Sequence, residues 1–295
     1  MINRLAIIGA GLIGGSLALA LKQAKQVKDV VAYDHNELAR QQALQLGIAD
    51  HVSDSIADAV AGAEIVVLAV PMGAMCQTLK ILAPYITENM VITDVGSAKA
   101  QVVDVAKTAL GNKFSYFVPG HPIAGTEKNG PAAAFAELYQ QHRVILTPVA
   151  ETAPYALNKV REMWQNVGAD VFEMTVEQHD EVLAATSHLP HLLAFNLVAL
   201  LAQGEDADEV LRYAAGGFRD FSRIASSNPL MWRDICLGNR DAILTLLQQF
   251  QRDLALVEHA IEQEDGDYLM TVFQRAKLAR DSRFAEPGLI DNSEV

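Results

Sequence analysis

A histidine set among glycines and prolines is the chain's first candidate for acid–base chemistry. In Pro119-Gly120-His121-Pro122-Ile123-Ala124-Gly125-Thr126-Glu127 the Gly and Pro residues fix the loop backbone, so the imidazole of His121 would be held firmly enough to move a proton. A surface-loop histidine would read the same way in isolation. A second cluster, Ser187-His188-Leu189-Pro190-His191, puts Ser187 and His191 at i and i+4, on one helix face if the helix continues through Pro190. Pro190 removes a backbone donor there and predicts a kink. In Gly216-Gly217-Phe218-Arg219-Asp220-Phe221-Ser222-Arg223, the residues Arg219 and Arg223 are again i and i+4. Either guanidinium could grip a carboxylate bidentately, and a solvated basic face is the alternative. The histidine cluster has no acidic partner within its motif, so no metal site is expected.

A nucleotide fingerprint precedes these residues. Gly9, Gly11 and Gly14 form G-x-G-x-x-G between an apolar run, Leu5–Ile8, and a helix-like run, Leu12–Leu21. Asp34 ends a second apolar run about 20 residues beyond the last glycine, the spacing of a dinucleotide site. Gly9 allows the tight turn, Gly11 lets backbone approach a pyrophosphate, and Gly14 lets helix pack on strand. The backbone from Gly11 through Leu12, Ile13 and Gly14 opens the helix whose N-terminus attracts phosphate. Asp34 can accept from both ribose hydroxyls and would repel a 2′-phosphate, so NAD is expected over NADP. His35, if protonated, could still meet a phosphate.

The elements that position these residues divide the chain in two. Short apolar runs at Leu5–Ile8, Val30–Tyr33, Ile65–Val70, Met90–Asp94, Ser115–Pro119, Arg143–Thr147 and Asp170–Glu173 alternate with helical segments such as Glu37–Leu46, Gly73–Leu82 and Pro154–Val167. They predict an α/β domain, a Rossmann-like doubly wound sheet, over residues 1–174. Ligands in such sheets bind at the carboxyl ends of strands, which brings Val70-Pro71 and Asp94-Val95-Gly96-Ser97-Ala98-Lys99 to the same edge as the glycine turn and the His121 loop. From 175 to 295 the β signal is gone. His179–Gln203, Ala207–Ala214, Met231–Glu262 and Gly266–Arg283 have helical spacing, and the tail from Glu286 onward is expected to fray. Leu244, Leu247, Phe250, Leu254, Val257 and Ile261 form an apolar stripe, part of which is expected to meet a second subunit.

Composition narrows the function classes. The 295 residues are 51% hydrophobic with a net charge of −13, which disfavours nucleic acid and anionic membrane surfaces as partners. Two cysteines, Cys76 and Cys236, are too few for a disulfide framework. There is no signal-like N-terminus and no uninterrupted apolar run of membrane-span length, so a cytoplasmic protein is expected.

Taken in order, GAGLIGGSLALAL, DVGSAK, PGHPIAGTEKNG, SHLPH and GGFRDFSRIASSNPLMWRDI resemble the prephenate/arogenate dehydrogenase family of tyrosine biosynthesis, from Leu5 to about Arg283. The resemblance implies an NAD-binding domain followed by an all-helical domain that dimerises, with substrate between them. It implies NAD-dependent oxidative decarboxylation of prephenate to 4-hydroxyphenylpyruvate and CO2, with arogenate as a second substrate. His121 would be the catalytic base for the ring hydroxyl, and Ser97 would orient both His121 and the nicotinamide. Arg223 would clamp a substrate carboxylate, with Arg219 as runner-up. Ser187 and His191 would complete the pocket, Thr126 and Glu127 would touch the substrate side chain, and Val70 and Pro71 would line the nicotinamide. Tyrosine would inhibit at the substrate site, and neither a mutase nor a regulatory domain is expected beside this core. Another Rossmann-plus-helical dehydrogenase of a small carboxylic acid, or a non-catalytic NAD-sensing dimer, would share the architecture but would not explain PGHPIAGTE and SHLPH together.

Overall fold

The computed structural model describes residues 1–126, 128–204 and 206–284. The tail expected to fray from Glu286 lies outside them. The first strand, β1 (Ile2–Ile8), runs into α1 (Leu12–Gln23), β2 (Val27–Tyr33), α2 (Glu37–Gln45), β3 (His51–Ser53), α3 (Ile56–Val60), β4 (Ile65–Leu68), α4 (Met72–Leu82), β5 (Val91–Asp94), α5 (Lys99–Leu110) and β6 (Phe117–Val118). These six strands make one parallel sheet in the order β3-β2-β1-β4-β5-β6. The order reverses between β1 and β4, the switch point at which a doubly wound sheet opens a crevice.

Strand alternation decides which helices cover which face. Leu5 and Ile7 of β1, with Ile65 and Val67 of β4, pack into the cluster that holds Leu17 and Leu21 of α1. Ala6 and Ile8, with Val66 and Leu68, join Leu79 of α4 and Val102 of α5 on the opposite face. Both faces are therefore dry, which is why these strands read as continuous apolar runs.

Two expected strands leave this sheet. Arg143–Leu146 (β8) and Asp170–Glu173 (β9) pair with each other in parallel, bridged in sequence by α6 (Pro154–Gln165), and β8 also pairs antiparallel with a strand that composition concealed, β7 (Gly120–Pro122). The main sheet stops at β6, and the chain turns after Val118 so that His121 stands opposite Ile145 in a separate three-stranded sheet. His121 is thus anchored by strand pairing and is not in an isolated loop.

The helical segment begins with α7 (Val176–Leu183), whose N-terminus is closed by a capping box between Thr175 and Gln178. A π-helical turn, Ala184–His188, leads into α8 (Leu189–Ala202). Pro190 stands in the first turn of α8, directly after that π turn. Then come α9 (Ala207–Arg212), α10 (Gly216–Ser222), α11 (Pro229–Gly238), α12 (Arg240–Glu262) and α13 (Gly266–Phe284). The single helix expected over Met231–Glu262 is broken at Asn239, where the backbone leaves the helical region. Contacts divide the chain into two compact units, Met1–Ile243 and from Leu244 onward, so α7 to α11 pack within the unit that holds both sheets.

One expectation about apolar runs needs correction. The continuous helical stretch Val176–Ala202 is long and apolar enough, by length and composition, to cross a membrane. Its π turn lies within the segment His179–Gln203 that reads as one helix in the sequence. The stretch also buries His179, Asp180 and His188 inside the compact unit, in the polar network described next.

Candidate active site

Asp94 ends β5 with its side chain fully enclosed. Its Oδ2 accepts from the N–H of Gly96 at 2.7 Å and from Lys99 Nζ at 2.5 Å, and its Oδ1 accepts from the N–H of Gly120 at 3.1 Å. Lys99 Nζ also donates to the carbonyl of Gly120 at 2.6 Å. One buried ion pair therefore fixes the β5–α5 loop and, through both backbone groups of Gly120, the residue just before His121. Burial pushes the Lys99 ammonium down, and the Asp94 carboxylate opposes that shift. Removing either partner would strand a buried charge.

His121 is 9% exposed. Its Nδ1 lies 2.9 Å from Nε2 of His179, which is fully buried, and Nδ1 of His179 lies 2.7 Å from Oδ1 of Asp180. The same Oδ1 accepts from the N–H of Lys99 at 2.8 Å, and Oδ2 accepts from the N–H of Ala100 at 2.9 Å. Helix α5 has no side-chain cap of its own, so Asp180 of α7 supplies one. Burial pushes the Asp180 carboxyl up, but hydrogen bonds from His179 and the two backbone amides outweigh it and hold the group below its ordinary value. Burial, then His179, Lys99 and His188, push His121 well below the ordinary histidine range. A neutral imidazole results, as a proton acceptor requires.

Behind this line sits His188, 1% exposed. Asn239, at the break before α12, uses its Nδ2 to donate to the carbonyl of Asp180 at 2.7 Å and to Nδ1 of His188 at 3.0 Å. An amide nitrogen only donates, so His188 carries its proton on Nε2. That N–H and the indole N–H of Trp232 are buried donors without a partner among the described residues. The two rings meet edge to face at 6.1 Å, and His191 stacks on Trp232 with centroids 3.7 Å apart. His191 donates from Nδ1 to the carbonyl of Ser187 at 2.8 Å, which leaves Nε2 as an acceptor. Burial and Arg223 both lower the His191 pKa, against the Ser187 carbonyl, so Arg223 lies within electrostatic reach of that ring.

At the β1–α1 turn Gly9 has φ +103°, and a Cβ there would fall 2.3 Å from the carbonyl oxygen of Ala69. A Cβ on Gly14 would fall 2.3 Å from the carbonyl oxygen of Gly9, whereas one on Gly11 meets nothing within 4 Å. Two glycines thus serve the fold, and the third leaves open space beside the N-terminus of α1, where a pyrophosphate fits. Leu12 is buried and Ile13 half-buried in the first turn of that helix. Asp34 closes the turn by accepting from the N–H of Ala10 at 3.1 Å, and its carboxylate faces His35 at 3.2 Å. Arg40 folds back to donate to the Asp34 carbonyl at 2.7 Å. A cavity of about 440 Å³ lined by Glu37, Arg40, Gln41, Val52, Ser53 and Asp54 opens on this side. The arrangement fits a nucleotide whose ribose hydroxyls are read by a carboxylate.

The remaining expected residues scatter more. Ser97 is half-buried in the β5–α5 loop but makes no hydrogen bond to His121 among the described residues, and the side chain in contact with that ring is His179. Val70 is half-buried and Pro71 exposed just before α4, whose first turn is docked by Asp234 of α11 accepting from the N–H of Gly73 at 3.1 Å. Thr126 is exposed and accepts from the N–H of Lys128 at 3.2 Å, and Glu127 lies outside the described residues. Arg219 is exposed on α10, one turn before Arg223. No cluster of metal-ligating side chains occurs among the described residues.

Comparison with known proteins gives the arrangement its context. The family model described as prephenate dehydrogenase, nucleotide-binding domain, matches residues 17–173, and that described as prephenate dehydrogenase, dimerization domain, matches residues 175–275. The chain belongs to the prephenate dehydrogenase family. A cyclohexadienyl dehydrogenase of Zymomonas mobilis is 42% identical over 280 residues, covering 94% of this chain and 95% of that protein. A prephenate dehydrogenase of Bacillus subtilis is 39% identical, over 95% of this chain and 76% of its own length. The crystal structure of a prephenate dehydrogenase from A. aeolicus, in complex with hydroxyphenyl propionate and NAD+, superposes with a TM-score of 0.88 at 34% identity, covering 96% of this chain and 98% of that one. This family member is an NAD-dependent oxidoreductase with a Rossmann-like domain.

Sequence reading missed His179, Asp180, Asn239 and Trp232. His179 and Leu183 share a helix face at i and i+4, so a polar residue stood in a core row, a signal that was available.

Proposed function

We propose that this prephenate dehydrogenase performs NAD-dependent oxidative decarboxylation of prephenate to 4-hydroxyphenylpyruvate and CO2 with His121 as the base. The observation that carries this reading is a buried imidazole with one nitrogen tied to His179, three residues beyond the end of β6 in the sheet that bears the glycine turn, where burial favours the neutral ring. Bound NAD supplies the hydride acceptor. His121 takes the proton of the 4-hydroxyl as the ring carbon gains carbonyl character, and loss of the ring carboxylate as CO2 is drawn by aromatisation. The protein's tasks are then orientation, one proton transfer and anion binding. Arg223 binds a substrate carboxylate, with Arg219 one turn away. Ser187 and His191, the latter stacked on Trp232, complete the substrate pocket from the helical segment. Ser97, Val70 and Pro71 belong to the nicotinamide side, and Thr126 and Glu127 to the substrate side chain. Gly9, Gly11, Leu12, Ile13, Gly14 and Asp34 hold the dinucleotide.

Arogenate is proposed as a second substrate, in line with the cyclohexadienyl dehydrogenase relative, and tyrosine as an inhibitor competing at the same site. A homodimer through the helical segment, residues 175–295, is supported by the dimerization-domain match and by Leu244, Leu254 and Ile261 exposed on α12. NADH absorbance with prephenate and NAD tests the activity, and arogenate and NADP complete the set. NAD binding without turnover would favour the sensor reading instead.

A further inference from the structure

We infer that His179, held by Asp180, is the positioning residue that selects the proton-accepting tautomer of His121, an inference that rests on His121 being the base. Protons along the line are fixed by its far end. The Asp180 carboxylate can only accept, and its two oxygens already take the backbone N–H groups of Lys99 and Ala100, so its short contact to His179 requires the proton on Nδ1 of that ring. Neutral His179 then presents a lone pair at Nε2, 2.9 Å from Nδ1 of His121. His121 must donate there, so its proton sits on Nδ1 and its Nε2 is bare. That nitrogen has no partner among the described residues, yet unlike Nε2 of His188 it is not sealed from solvent. The opposite tautomer would set two lone pairs against each other and leave His121 with no basic nitrogen to offer.

The surroundings keep His179 neutral. Burial and Lys99 lower its pKa, while Asp180 and Asp94 raise it, and the net direction is downward. Lys99, Asp94, Asp180 and His188 are the charged or titratable groups that press on the pair. Asp180 is rigid because it caps α5, and the carbonyl of the same residue is held by Asn239. The orienting carboxylate is therefore part of the fold, at no cost to a flexible loop. When His121 takes the substrate proton, Nδ1–H stays donated to His179 and the new charge faces the Asp180 carboxylate through that ring.

The experiment measures steady-state kinetics of full-length H179A and H179Q beside H121A, and the imidazole nitrogen shifts of His121 in the wild-type protein with NAD. H179A is expected to lower kcat by about 10²–10⁴-fold with KM for prephenate and NAD little changed, as loss of a tautomer-fixing partner does. H179Q, whose amide oxygen can accept from Nδ1 of His121, should recover at least about tenfold of that loss, the worth of one such hydrogen bond. The wild-type spectrum should show His121 protonated at Nδ1, a readout that does not depend on any variant folding. An Nε2–H tautomer, or an H179A kcat near wild type beside an inactive H121A, would overturn the inference. So would H179Q no better than H179A. Retained kcat in H121A would bring down the base assignment and this inference together.

Discussion

Oδ1 of Asp180 and the backbone N–H of Lys99, 2.8 Å apart, tie the helical segment to the edge of the Rossmann-like sheet. The bond is one of a pair, since Asp234 does the same for Gly73 at the start of α4. Helix N-termini at this edge carry partial positive charge, and in both cases a carboxylate from the helical segment neutralises it. D180A removes the cap of α5 and leaves His179 unpaired. It should cost about 1.5–3 kcal/mol of stability, the range for hydrogen bonds to a charged group. D180N, which keeps one acceptor, should fall between. Urea unfolding checks this, and a D180A midpoint equal to wild type would disprove the capping role.

H121A should lower kcat by about 10²–10⁴-fold, because general-base assistance is lost while binding contacts remain. In the wild type, the acid limb of kcat/KM should lie below pH ~6.5, the ordinary histidine value. Burial and the neighbours His179, Lys99 and His188 lower the His121 pKa, so the ring stays an acceptor further into acid than a free histidine would. A limb at or above the ordinary value would contradict that environment.

R223A should chiefly raise KM for prephenate, since a carboxylate is gripped alike in ground and transition states. Loss of a charge-assisted pair worth about 1.5–3 kcal/mol corresponds to roughly ten- to 150-fold in KM. R219A should have the smaller effect. A large fall in kcat at unaltered KM would reassign Arg223 to the reaction step.

The parts of this molecule that were legible in the sequence were local. Leu5–Ile8, the three glycines and Asp34 lie within one β-α-β unit, and each residue's role follows from its neighbours in the chain. The site's wiring is non-local: His121 and His179 are 58 residues apart, and Lys99 and Asp180 81 apart. In Val176–Leu183 the one hint is that His179 shares a face with Leu183, and Glu177, Gln178, Asp180 and Glu181 mask it with what looks like a solvated helix start. β7 was hidden for a different reason. Gly120 and Pro122 argue against a strand, yet both flank a residue whose position is set by pairing with β8. The break at Asn239 did carry a signal, Gly238 directly before it, but nothing local shows that the Asn239 amide is spent on Asp180 and His188.

Stability should also fall in mild acid through the buried histidines. His188 is pushed down to about 4, mainly by burial. For a group whose folded pKa lies below its unfolded value, the unfolded chain binds more protons in the window between them. The stabilisation is therefore complete above pH ~6.5 and is lost as pH falls from there toward about 4. Thermal midpoints across that range should drop steadily. H188N, which cannot titrate, should flatten the slope, and an unchanged slope would show that other groups dominate.

The proposed role of Asp34 in cofactor choice is open to a direct test. Its carboxylate accepts from Ala10 and faces the open nucleotide side, where Glu37 and Asp54 line the adjoining cavity with Arg40 as the cation. Arg40 is engaged with the Asp34 carbonyl, so its donors are partly spent before any 2′-phosphate arrives. NAD should therefore be used far better than NADP. D34A removes the ribose acceptors, and at about 1.5–3 kcal/mol for hydrogen bonds to a carboxylate KM for NAD should rise roughly ten- to 150-fold. It also lifts the repulsion of a 2′-phosphate, so the NAD-to-NADP ratio of kcat/KM should shrink by more than the NAD loss alone. Assays with both cofactors decide it: if the ratio survives D34A intact, discrimination resides elsewhere, and the exposed His35, 3.2 Å from the same carboxylate, becomes the next residue to change.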